Sequence, residues 1–192
     1  MKLIFATNNQ HKVDEIRTAL SGSFEIITLK EAGIDIDIPE PYNTLQENAA
    51  TKAATIHQLT GTDCFSEDTG LEVYSLNNEP GVKSARYAGD ARSFEQNIEK
   101  LLQRLDGSSN RKARFRTVIC LIINGVQHYF EGICEGSINY QPSGRGGFGY
   151  DPVFTPEGST MTFAEMTIEE KNRYSHRKKA LDKLVTFLNQ LG

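Results

Sequence analysis

The 192-residue sequence predicts an α/β fold built on a mixed, twisted sheet with flanking helices. Three observations carry that expectation. Strand-like and helix-like patterns alternate in the N-terminal third, a long hairpin signal centres on Asn124-Gly125, and an apolar helical stripe runs to the C-terminus.

KLIFAT (2–7) reads as a first buried strand, followed by a helix from about His11 to Leu20 with Val13, Ile16, Ala19 and Leu20 on its apolar face. FEIITL (24–29) is a second strand. IDIDIP (34–39) alternates, with Ile34, Ile36 and Ile38 apolar, as a half-buried strand or an extended loop would. Thr44 and Glu47 form a capping-box signature for a helix that runs to about Leu59 and stops at Gly61. DCFSED and LEVYSL read as short strands either side of a tight turn at Gly70. Phe94, Ile98, Leu101, Leu102 and Leu105 recur at helical spacing between Ser93 and Leu105. ARFRTVICLIING and VQHYFEGICEG form the long hairpin, and a last helix starts near Tyr174 with Leu181, Leu184, Val185, Leu188 and Leu191 inward.

Composition is that of a soluble globular chain: 38% hydrophobic, 24% charged, net charge −4. No apolar run reaches membrane-spanning length, and the N-terminal one, Leu3 to Ala6, is too short for a signal-peptide core. Cys64, Cys120 and Cys134 lack metal-ligand spacing and sit in strand-like segments, which reads as buried free thiols in a reducing cytoplasm. Charge is segregated. Ten acids lie between Glu31 and Val82 with Lys52 as the only Lys or Arg, while bases gather at 111–116 and 171–183. That arrangement suits a polyanion bound with a divalent cation, and equally an unevenly charged solvated surface.

ATNNQHK (6–12) leaves a buried strand and enters a helix carrying Lys12, so backbone N–H groups, the helix end, the Thr7 hydroxyl and the Lys12 charge could hold phosphates. The plainer reading has Asn9 as a helix cap and Lys12 solvated. SEDTGL (66–71) brings Glu67 and Asp68 to a strand end, where a carboxylate can hold magnesium or activate water. Neighbours on a strand face opposite ways, so only one of the two should face a site. Glu40, before Pro41, could reach a metal from extended backbone, and Lys52 could neutralise a carboxylate or contact phosphate. In KNRYSHRKKA (171–180), Lys171, His176 and Arg177 supply donors for base carbonyls or phosphates.

GRGGFG (144–149) matches the dinucleotide pattern G-x-G-x-x-G but is followed by Tyr-Asp-Pro-Val-Phe, which starts no helix. Phe148 and Tyr150 among the glycines, beside Asp151, suit a ring stacked on a purine better than a pyrophosphate cradle.

Taken in order, ATNNQHK, SEDTGLEV, PGVKSARYAG, GGFGYDPVF and SHR resemble the inosine/xanthosine triphosphate pyrophosphatases, house-cleaning enzymes of the nucleotide pool. The resemblance spans essentially the whole chain and implies one domain over residues 1–192: an elongated α/β fold of two lobes around a central nucleotide cleft, assembled as a homodimer. It implies Mg2+-dependent hydrolysis of ITP, dITP and XTP to the monophosphate and pyrophosphate. On matching positions, Thr7, Asn8, Asn9, Gln10, His11 and Lys12 would bind the triphosphate. Asp68 would bind magnesium and orient or deprotonate water beside Thr69, with Glu40 as a second metal ligand and Lys52 in support. Phe148 would stack on the base, with Gly149, Tyr150 and Asp151 lining its pocket, and Lys171, His176 and Arg177 would read the 6-keto group. The chain departs from the family pattern in Glu67-Asp68-Thr69-Gly70, where Asp-Asp-Ser-Gly is common, and in lacking a glycine among Asn8–His11. Competing readings are a non-catalytic nucleotide sensor, a dinucleotide-dependent oxidoreductase resting on the glycine pattern alone, and a nucleic-acid binder, which net acidity and the lack of a recognition motif disfavour.

Overall fold

In the computed structural model, which describes residues 2–19 and 24–191, side-chain alternation on the strands explains how the first layers form. β1 (Lys2–Phe5) pairs in parallel with β2 (Glu25–Thr28) and with β3 (Cys64–Val73). Leu3, Phe5, Phe65, Ile119 and Leu121 face one side and pack on Val13 and Ile16 of α1 (Gln10–Ala19) and on Leu181, Leu184 and Leu188 of α5 (His176–Leu191). Ile4, Ala6, Cys64, Cys120 and Ile122 face the other side and pack on Ala49, Ala53 and Ile56 of α2 (Leu45–Thr60). The result is helix, sheet, helix in one unit, comprising residues up to Asp68, Thr117–Gly132 and those from Arg177 on. Phe5 and Phe65 stack with centroids 4.6 Å apart at its centre. Truncating either ring to alanine costs about 3–5 kcal/mol.

The second unit, Thr69–Arg116 with Ile133–His176, has its own core. Ile98, Leu101 and Leu105 of α3 (Phe94–Arg104 with its cap) meet Leu71, Val73, Ala113 and Phe115, together with Phe154 and Phe163. With β5 (Lys112–Ile123), β6 (Val126–Ile138) and β7 (Phe154–Pro156), strand order is β2-β1-β3-β5-β6-β7, where β4 (Glu79–Gly81) is antiparallel on β3 and β7 antiparallel on β6. The hairpin turns where expected: Asn124 and Gly125 both take positive φ between β5 and β6.

Caps fall where the sequence places them. The Thr44 side chain accepts the Glu47 N–H at the start of α2, and Gly61 closes it with its N–H on the His57 carbonyl. Ser93 caps α3. Residues 34–39 form no strand, yet Ile34, Ile36 and Ile38 pack inward on the α2 side, so the extended-loop reading is the correct one. The expected turn at Gly70 is absent, because β3 runs unbroken from Cys64 to Val73. A Cβ on Gly70 would lie 2.6 Å from the Gly81 carbonyl oxygen, so this glycine lets β4 come close. Tyr74–Leu76 is a 3-10 turn in place of the end of a strand. A short α4 (Ile168–Asn172), boxed by Thr167 and Glu170, precedes α5, which starts at His176, two residues after the expected Tyr174. Leu20, expected on α1, lies outside the described residues. Cys64, Cys120 and Cys134 are free and buried, as their strand positions predict.

Candidate functional site

The loop from β1 to α1 is tied down by its own side chains. Asn8 donates to the Ile36 carbonyl at 2.9 Å, Thr7 Oγ1 accepts the Asn9 N–H, and Asn9 Oδ1 accepts the Lys12 N–H at 3.4 Å. Gln10 pairs with Asp14 and His11 is exposed. Asn9 therefore caps α1, and the same geometry aims the helix N-terminus and Lys12 to one end of β1.

Glu67 and Asp68 are consecutive on β3 and have separate partners, as strand alternation requires. Glu67 is fully buried between cations: Arg177 Nε lies at 2.8 and 3.0 Å from its oxygens, and Lys12 Nζ at 3.1 Å. Burial alone would raise its pKa, but Arg177 and Lys12 outweigh it and hold the group down to about 2. Arg177 also binds Glu15, which is buried on α1. Arg177, expected at the base, thus has its guanidinium engaged by two carboxylates of the first unit.

Asp68 meets a different set. Its Oδ1 lies 3.4 Å from Lys52 Nζ, which is 2.5 Å from Glu40 Oε1. Burial raises the Asp68 pKa against the lowering pull of Lys52 and Lys12, and Glu40 adds to the rise. Burial works against the charge of Lys52, but Asp68 and Glu40 prevail and its pKa is raised. Thr69, next on the strand, is half-buried.

Two residues of this cluster escaped the sequence reading. Asn48 is buried and donates to Asp68 Oδ2 at 3.3 Å. Glu15 anchors Arg177. For Asn48 a signal was present: it lies with Lys52 on the stripe of α2 that also buries Leu45, Ala49, Ala53 and Ile56, and polar groups on an apolar stripe need partners. For Glu15 the sequence offers none, since its partner is 162 residues away.

The second unit gathers aromatic groups. Phe148 is half-buried, with its N–H on Asp151 Oδ2 at 2.9 Å. The same oxygen takes Lys171 Nζ at 2.5 Å, and that ammonium lies 5.2 Å from the Phe148 ring centroid and 5.0 Å from Phe163. His176 is buried and stacks on Phe115 at 4.7 Å and 12°. Gly149 is half-buried with positive φ, while Tyr150 is buried, its hydroxyl donating to the Ser84 carbonyl at 2.8 Å. Tyr150 is thus part of the core that supports the loop. At Gly147, φ is +70° and a side chain would run into the Asp151 carboxylate, so the glycine lets the loop fold onto its own clamp.

Among the described residues, no group of three or more His, Cys, Asp or Glu comes together to hold a metal unaided. The donor set nevertheless fits magnesium. Glu40 and Asp68 converge on one cation, the Lys52 ammonium, and magnesium is commonly held by one or two carboxylates plus the phosphates of its substrate. A separate open pocket of about 700 Å³ at residues 109–112 and 137–143 contains none of the candidate residues.

The model of the Ham1 family matches residues 3–187. A dITP/XTP pyrophosphatase from Porphyromonas gingivalis is 54% identical over 188 residues, covering 97% of each chain. One from Flavobacterium psychrophilum is 51% identical, covering 97% of this chain and 98% of its own. Among solved structures, the Ham1 protein of Staphylococcus aureus superposes with a TM-score of 0.90 at 35% identity, covering 100% of both chains.

Proposed function

The chain belongs to the Ham1 family, and from that premise we propose that it hydrolyses non-canonical purine nucleoside triphosphates, ITP, dITP and XTP, to the monophosphate and pyrophosphate. The observation that carries the reading is the cluster of buried Lys52 and Asp68 with half-buried Glu40, beside Lys12, an arrangement suited to phosphoryl charge and to a polarised water.

In this reading Lys12 and the first turn of α1, with Thr7 and Asn8 to His11, bind the triphosphate through full charge and helix-end N–H groups. Asp68 orients the attacking water and takes its proton, and its raised pKa brings it nearer the operating pH of a general base. Lys52 keeps the carboxylate pair compatible and carries positive charge towards the phosphates. Magnesium, held by Glu40 and Asp68, would neutralise phosphate charge at the bond that breaks. Attack at the α-phosphorus expels pyrophosphate. Phe148 stacks on the base beside Gly149, and the half-buried Thr69 stays next to Asp68 on β3. Lys171, clamped by Asp151, and His176 supply donors for a 6-keto purine, and a 6-amino group would leave those donors facing another donor. Arg177 acts on this scheme through Glu67, whose other partner is Lys12. The reading extends to a homodimer in the cytoplasm, where three buried free thiols are compatible with a reducing environment. It needs no nucleic-acid partner, and among the described residues no helix is long and apolar enough to cross a membrane.

The test is a panel of nucleotides incubated with the protein and magnesium, reading pyrophosphate and monophosphate separately. Turnover of dITP, ITP and XTP should exceed that of ATP and GTP by on the order of 10²-fold or more in kcat/KM. Chelation should stop the reaction and added magnesium restore it. Preference for ATP or GTP would overturn the substrate assignment.

A further inference from the structure

Asn48 sits in the first turns of α2 with its carboxamide buried, and three polar contacts meet on that one group. Its Oδ1 accepts the Tyr42 N–H at 3.0 Å, and its Nδ2 donates to the Tyr42 carbonyl at 3.1 Å and to Asp68 Oδ2 at 3.3 Å. Tyr42 offers one backbone donor and one acceptor, so the amide can sit only one way round. The atom turned to Asp68 is therefore a donor by necessity. Tyr42 lies two residues after Glu40, whose Oε1 binds Lys52, and Lys52 reaches the other oxygen of Asp68. The contacts close a ring: Glu40, two residues of backbone, Asn48, Asp68, Lys52 and Glu40 again.

We propose that Asn48 is a positioning residue for the reaction, holding the Asp68 carboxylate and the Glu40-bearing segment in one geometry. Asn48 ties Oδ2 of Asp68 and leaves Oδ1 to Lys52, so it determines which oxygen faces the cationic side of the cluster. The proposal rests on the reading of Asp68 as the general base, and the controls separate the two.

Asn48→Asp keeps shape and the acceptor for the Tyr42 N–H but removes the donors to the Tyr42 carbonyl and to Asp68, and Asn48→Ala removes all three contacts. With dITP and magnesium, each should lower kcat about 10–100-fold per folded molecule, while KM stays within about 3-fold. A residue with a structural role alone would lower the melting temperature and leave kcat of the folded fraction unchanged. That outcome, with Asp68→Asn inactive in parallel, would overturn the proposal and spare the reading of Asp68. An active Asp68→Asn would instead remove the reading itself, and with it the premise of the proposal. Should neither Asn48 variant fold, the native Asn48 is read directly. The side-chain amide protons of Asn48, followed by 15N NMR, should shift in Asp68→Asn, and an unmoved pair of resonances would refute the contact.

Discussion

Glu67 in the first unit and His176 in the second are both buried titratable side chains, and the protein stabilises them by opposite means. Glu67 is surrounded by full charges, Arg177 and Lys12, with Glu15 completing the set beyond Arg177. His176 lies against the rings of Phe115 and Phe163, and the ion pair of Lys171 with Asp151 sits beside Phe148 and the same Phe163. An ionic cluster suits a ligand group whose charge must be matched and moved. An aromatic one suits a flat ligand group that is sorted by stacking and by a few directional hydrogen bonds. The division of labour proposed above, phosphate chemistry on one set and base recognition on the other, matches that contrast in environment.

The contrast can be broken most severely at Asp68. Asp68→Asn is expected to lower kcat by about 10³-fold or more without lowering the melting temperature, since it removes a buried charge and keeps the shape. Pyrophosphate release and a thermal melt on the same sample check both halves. Next comes Glu67→Gln, which leaves the buried Arg177 without its main carboxylate and should cost about 3–5 kcal/mol in urea unfolding. The same variant sharpens the comparison through pH. Because the folded pKa of Glu67 is depressed from 4.5 to about 2, its stabilising contribution is complete above pH 4.5 and is lost as pH falls towards 2. The acid dependence of stability in that window should be shallower in Glu67→Gln than in the wild type. A smaller effect is expected on the aromatic side. Phe148→Ala should raise KM for dITP by a factor corresponding to about 1–3 kcal/mol and leave kcat nearly unchanged. A fall in kcat with constant KM would move Phe148 out of base stacking.

Much of this architecture is legible in the sequence because it is set by local rules. The parity of Leu3 and Phe5 against Ile4 and Ala6 gives the two faces of the sheet, Thr44 and Gly61 bound α2, and Asn124-Gly125 turns the hairpin. Gly70 shows where local rules stop. Asp-Thr-Gly reads as a turn, and only the approach of Gly81 on another strand reveals why a glycine stands inside a continuous β3. The absence of a helix-start pattern after the glycines around Phe148 is a local signal, but the clamp that shapes them, Asp151 with Lys171, depends on residues 20 apart. Most opaque is the partner of Arg177. A basic residue at a helix start looks ready for a ligand, and its pairing with Glu67, 110 residues earlier, exists only once the sheet and α5 are packed.

The three buried cysteines have a practical consequence. Burial pushes the Cys64 thiol up to about 12, with Cys120 and Asp63 adding to it, and lifts Cys120 to about 11. At neutral pH these two carry almost no thiolate, and Cys134 is likewise shielded from solvent. The folded protein is therefore nearly silent to maleimides, and a single cysteine introduced at the exposed Tyr140 would take a fluorophore without any native thiol having to be removed.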